Sequence, residues 1–157
     1  MVSRYIKLLV MLLLMGISSL TYSKTLNEYI NQHCKANCVD TDTVLSASRM
    51  VADSLNLDYL ILLSIIRVES GFNRKARNGS SVGLMQVHLR YHRNKFGNGD
   101  VLNPYSNIFA GASILKDCMD RWRNTNKAFR CYNGGGDPSY TVKVNKALVE
   151  VKQLEIQ

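Results

Sequence analysis

With 157 residues, the chain has the length of one ordinary domain. Hydrophobic residues at 46% and charged residues at 20% exclude a disordered tail and a polytopic membrane protein, and two prolines without low-complexity sequence exclude collagen-like and proline-rich classes. Lysine and arginine total 20 against 12 acidic residues, so the formal charge of +8 favours an anionic partner without saying which.

Arg4 and Lys7 precede an apolar run from Leu8 to Ile17, and small polar residues follow at Ser18, Ser19, Thr21 and Ser23. This order predicts a signal peptide over residues 1–23 and an exported protein, periplasmic or extracellular. The competing reading is a buried N-terminal helix. The run falls short of the ~20 residues that cross a bilayer, so no stable membrane anchor is expected after cleavage. Residues 24–157 are expected to form a single domain.

Export permits disulfides. If the segments flanking the polar turn at Asn124–Asn126 form an antiparallel helical hairpin, Cys118 and Cys131 lie nearly equidistant from the turn and pair. That leaves Cys34 with Cys38, an awkward span of one helical turn. Cross pairings that tie the N-terminal helix to the hairpin remain open. Neither spacing is the Cys-x2-Cys of zinc sites, so no metal is expected.

No strand alternation is evident, and the expected fold class is mainly α. A helix is expected from Leu26 to about Cys38. A second, capped by Thr41 or Asp42, carries Ala47, Met50, Val51 and Leu55. Asp58 caps a strongly apolar helix from Tyr59 to Ser70, which Gly71 ends in the left-handed position. Residues 72–82 read as a basic loop, Gly83 to about Tyr91 as a short helix, and residues 94–103 as loop. Pro104 opens a long helix to about Trp122. Thr125 to Asn133 forms a shorter helix, broken by Gly134–Gly136. Pro138 opens the last, with Val142, Val144, Leu148 and Val149 on its apolar side. Phe72, Ile108, Leu115 and Trp122 are assigned to the core.

Four glutamates occur, Glu28, Glu69, Glu150 and Glu155, and Glu69 stands apart. At helical spacing it shares the apolar stripe of Leu62, Ile65 and Ile66, and it lies in the last turn, where the helix dipole disfavours an anion. Both effects raise its pKa, as suits a general acid near neutral pH. The plainer reading is a helix-end glutamate facing solvent or paired with Arg67 or Arg74. Asp100 and Asp137 in loops, and Asp117 and Asp120 on a helix face, offer no obvious second carboxylate.

After Glu69-Ser70-Gly71-Phe72 come Ala76 and Asn78, Gly83-Leu84-Met85-Gln86, Asn107-Ile108 with Gly111, and Tyr132-Asn133 with Gly135. This series resembles the lysozyme-like lytic transglycosylases over about residues 45–150. The resemblance implies a single lysozyme-like helical domain of the goose-type lysozyme and transglycosylase kind, acting on peptidoglycan glycan strands without a cofactor. Glu69 would protonate the glycosidic oxygen between N-acetylmuramic acid and N-acetylglucosamine, the sugar's acetamido group would stabilise the cationic centre, and Glu69 would then deprotonate the 6-hydroxyl to close a 1,6-anhydro ring. By the same likeness Ser70 would bond the substrate's acetamido or peptide part. Gln86 and the Met85 backbone would line the cleft, with the Met85 side chain on a sugar face. Tyr132 would donate toward Glu69 or the reacting sugar, and Asn133 would fix the adjoining turn.

Cys131 and Gly134 flank the Tyr-Asn pair where the family often has alanine. A disulfide through Cys131 would brace Tyr132, so reduction is expected to slow catalysis. The small size, the leader and the run Gly111 to Leu115 look most like members that accompany conjugation, pilus and specialised secretion systems. A hydrolysing goose-type lysozyme and a non-catalytic wall-binding module are the alternatives.

His88 and His92 have a spacing that can bind zinc, but no glutamate follows His88 and no third ligand is evident. Arg74, Lys75, Arg77, Arg90, Arg93 and Lys95 make a basic rim, suited in an exported protein to anionic wall polymers rather than nucleic acid.

Overall fold

The computed structural model describes residues 26–156; the expected signal peptide lies outside them. Among the described residues are seven α-helices: α1 (26–33), α2 (Thr41–Leu55), α3 (Tyr59–Glu69), α4 (Leu89–His92), α5 (Pro104–Trp122), α6 (Thr125–Tyr132) and α7 (Tyr140–Ile156). Strands β1 (Arg77–Asn78), β2 (Ser81–Val82) and β3 (Val87–His88) form an antiparallel sheet in that order, and a 3-10 turn follows α4. The architecture is mainly helical, as expected.

Helix α3 is the central element. Its residues Leu60, Leu62, Leu63, Ser64, Ile65 and Ile66 are all buried, which covers most of its circumference, so packing against α2 and α7 rather than helix propensity holds it. Asp58 caps it by accepting from the Leu60 amide at 2.9 Å. At its other end Gly71 and Phe72 both take left-handed backbone angles, φ +55° and +64°. A phenylalanine there is strained, and complete burial of its ring keeps it in place.

That segment is clasped from the N-terminal side. Helix α1 ends at residue 33 rather than at Cys38, because Asn37 turns left-handed (φ +47°) and the chain closes the Cys34–Cys38 disulfide. Residues 37–39 then run against 72–74: Val39 N donates to Phe72 O, and Arg74 N to Asn37 O. Asp40, rather than Thr41 or Asp42, caps α2 by accepting from Thr43 N at 3.0 Å.

The expected helix over Gly83–Tyr91 is instead a turn, a short strand and the four-residue α4. The cause is Asn107 on α5, fully buried. Its Oδ1 accepts from Met85 N at 2.8 Å, and its Nδ2 donates to Val82 O at 3.0 Å and Val101 O at 2.8 Å. The carboxamide occupies the place a side chain at residue 83 would need: a Cβ there would lie 2.2 Å from Asn107 Nδ2. One turn further along α5, a Cβ at Gly111 would meet Met85 Cβ at 2.6 Å. The strands escape notice in the sequence because two residues are too few to show alternation.

Phe72, Ile108 and Leu115 are core residues, but Trp122 is 47% exposed at the end of α5 with Lys127 Nζ 5.7 Å from its ring centroid. The apolar side of α7 is Tyr140, Val144, Ala147 and Val151; Val142 and Val149 face outward. The second disulfide joins Cys118 on α5 to Cys131 on α6, with Cα atoms 5.9 Å apart.

Replacing Asn107 by alanine removes three hydrogen bonds, two of them buried, and strands their partners. The expected loss is about 3 kcal/mol of unfolding free energy, read by urea denaturation.

Candidate active site

Glu69 ends α3 and opens into a cleft of about 690 Å³. One wall comes from the small sheet and α4 (Arg77, Asn78, Gln86, His88 and Tyr91 among others), another from α5 and α6 (Ile114, Arg121, Tyr132). The Cys118–Cys131 disulfide lies in this second wall.

Burial pushes the Glu69 carboxyl up to about 7 from an ordinary 4.5, against a smaller opposing pull from a hydrogen bond. The donor is Tyr140, whose hydroxyl lies 2.7 Å from Glu69 Oε1. Burial and the Glu69 charge hold the Tyr140 hydroxyl well above its usual pKa, so it stays a donor at working pH. Sequence reasoning passed over Tyr140. Its signal was its place at helical spacing with Val144, Ala147 and Val151, which buries the ring, together with the need of a buried phenol for a partner.

Ser70 lines the cleft, with its Oγ donating to Ile66 O at 3.1 Å. Gln86 lines it too, at φ +47°, its Nε2 donating to Gly83 O at 2.9 Å. The Met85 side chain is fully buried beside Gly111 and does not reach the cleft, so it serves the core and not a sugar face. Tyr132 lines the cleft, but its hydroxyl donates to Met85 O at 2.7 Å instead of to Glu69. Asn133 follows α6 and accepts from Asp137 N at 3.1 Å.

One other acid lines the cleft, Asp117, and Lys95 holds it at 2.6 Å. Asp137, outside the lining, is drawn down to about 2 by hydrogen bonds from Lys143 and Ser139. Of the expected basic rim, Arg77 lines the cleft, while Arg93 turns to Gly97 O and the Phe96 ring. Arg121 is a cleft cation the sequence reading missed, and neither it nor Arg77 has an acidic partner among the described residues. Among those residues, no helix is long and apolar enough to cross a membrane.

The chain belongs to the family whose model, the transglycosylase SLT domain, matches residues 46–153. It is also 31% identical over 81 residues to a protein of Enterobacteria phage PRD1 named transglycosylase. That match covers 51% of this chain and 30% of the phage protein, so the chain spans less than a third of its relative. No solved structure matches.

The raised Glu69 pKa ties stability to pH. Native protein holds a proton that the unfolded chain has released between about pH 4.5 and 7, so stability falls as pH rises through that window. The glutamine variant Glu69→Gln is neutral throughout and can still accept from Tyr140. It is expected to exceed the wild type by about 3 kcal/mol at pH 8 and by nothing at pH 4, in urea denaturation at both values.

Proposed function

We propose that the chain is a peptidoglycan lytic transglycosylase in which Glu69 acts first as general acid and then as base. The observation that carries this reading is a buried carboxyl, protonated near neutral pH, in a cleft whose one other acid, Asp117, is largely exposed and paired with Lys95. A two-carboxylate glycosidase needs a second free carboxylate as nucleophile or base, and Asp117 is ill suited to that role. Substrate-assisted cleavage needs none.

On this reading Tyr140 is a positioning residue. Its hydroxyl occupies Glu69 Oε1, which leaves Oε2 to give its proton to the bridging oxygen between N-acetylmuramic acid and N-acetylglucosamine. The bond to the leaving sugar breaks, the acetamido oxygen of the remaining sugar stabilises the cationic carbon, and Glu69 is left ionised. The carboxylate then takes the proton of the 6-hydroxyl as that oxygen attacks the same carbon. The product is a 1,6-anhydro end, and Glu69 is again protonated. Ser70 and Gln86 line the path of the substrate, and Arg77 with Arg121 suits the carboxylates of the stem peptides. Export by a cleaved leader and local wall opening for a conjugation, pilus or secretion apparatus complete the proposal, supported by the leader-like first residues.

Mass spectrometry of fragments released from purified sacculi tests the reaction. The expected products are lighter by one water than hydrolytic muropeptides; ordinary reducing ends would identify a lysozyme instead. Glu69→Gln is expected to lower turnover by about 10³-fold while sacculus binding persists. Turnover should decline as pH rises through about 7, as the acid form is lost. Removing the donor with Tyr140→Phe withdraws support from the carboxylate, so that limb should move to higher pH.

A further inference from the structure

We infer that Tyr91 forms a sugar-stacking subsite on the β3–α4 wall of the cleft, a specificity element that rests on the glycan-cleaving reading above. Tyr91 lines the cleft and is 68% exposed, although a phenol ring ordinarily gains by burial. The ring is nevertheless held. His88 stacks against it at 4.7 Å between centroids with 28° between planes, and His92 meets it edge-on at 6.4 Å. His88 also lines the cleft, and its Nδ1 is buried without a hydrogen-bond partner among the described residues. A buried polar atom is spent here on a ring whose visible contact is a stack with Tyr91. With the imidazole stacked on it, the phenol still keeps most of its surface open to solvent and the cleft.

The occupant that suits such a face is a β-1,4-linked N-acetylhexosamine ring. Its ring substituents are equatorial, so axial C–H bonds make each face of the sugar apolar with slightly positive hydrogens. These complement the negative face of an aromatic ring, while hydroxyl and acetamido groups at the sugar's rim reach polar cleft residues. Holding the phenol beforehand between His88 and His92 reduces the ordering cost of binding. The contact involves no charge, so it reads the glycan backbone independently of the stem peptides.

Binding of N-acetylglucosamine hexasaccharide, which carries no peptide, to the full-length Glu69→Gln protein isolates this contact. Adding Tyr91→Ala is expected to weaken binding about tenfold, and Tyr91→Phe to leave it unchanged. In the active protein, Tyr91→Ala should raise KM for sacculi by a similar factor, with kcat within about twofold and an unchanged thermal midpoint. An alanine variant that binds and turns over as its parent does would overturn the subsite while leaving the function intact. Weakening by Tyr91→Phe as large as by Tyr91→Ala would overturn stacking in favour of a hydroxyl contact. Sacculus cleavage absent from the wild type, with no hexasaccharide binding, would remove both the subsite and the reading beneath it.

Discussion

Asn107 sits where the turn after β2 meets the segment leading into α5, and the shape of the cleft depends on its carboxamide. One side chain satisfies the Met85 amide and the carbonyls of Val82 and Val101. A buried backbone group left unpaired costs about as much as a lost hydrogen bond, so the turn over residues 83–86 could not be buried without it. The two glycines follow from the same contact. Gly83 clears room for the carboxamide, and Gly111 clears room for the methionine that the carboxamide draws in. Tyr132 then closes the arrangement by donating to Met85 O. Gly-Leu-Met-Gln, Asn-Ile-x-x-Gly and Tyr-Asn thus belong to one packing unit, and Gln86 and the Tyr132 ring reach the cleft because that unit holds them.

Glu69 pulls in the opposite direction. Ordering a carboxyl among the apolar residues of α3 works against stability at neutral pH, since the folded protein resists ionising a group the unfolded chain ionises freely. Tyr140 limits the penalty without removing it. A stronger donor, such as a guanidinium, would return the group to the ordinary carboxylate range and leave it ionised at pH 7, unfit to give a proton. A neutral hydroxyl fixes the geometry and keeps the acid. The strained Gly71–Phe72 segment next to it is tolerated because buried Phe72 and the residue 37–39 clasp anchor it from both sides.

The long elements could be read from the sequence. Asp58, Gly71 and Pro104 punctuate α3 and α5 where the structure has their ends, and the hairpin symmetry of Cys118 and Cys131 matches the disulfide it forms. Glu69 was legible because burial and helix position are properties of one periodic segment. What escaped depends on distant partners. The turn at Gly83 follows from a residue 24 positions later, and two-residue strands carry no pattern. Met85 is drawn off the cleft by contact with Gly111, and Tyr132 is turned from Glu69 by a carbonyl that only the fold brings near. Tyr140 lies 71 residues from its acceptor. Trp122 was misjudged because an apolar residue at the end of a helix can lie beyond the layer that covers the rest of it.

The α5–α6 wall shows how a weak element can serve a site. Helix α6 has eight residues, too few to be stable alone, and the glycines after it make no contact that a Cβ would disturb. Gly134 and Gly135 are needed for their left-handed angles, φ +70° and +76°, which let their amides reach the last carbonyls of the helix: Gly134 N donates to Cys131 O and Gly135 N to Arg130 O. They end the helix but cannot hold it. Two anchors do so from its own length, Ala128 and Phe129 buried in the core and Cys131 crosslinked to α5. The crosslink is adjacent in sequence to Tyr132, whose hydroxyl closes the Asn107 unit. The covalent anchor therefore acts next to the hydrogen bond that ties this wall to the rest of the cleft.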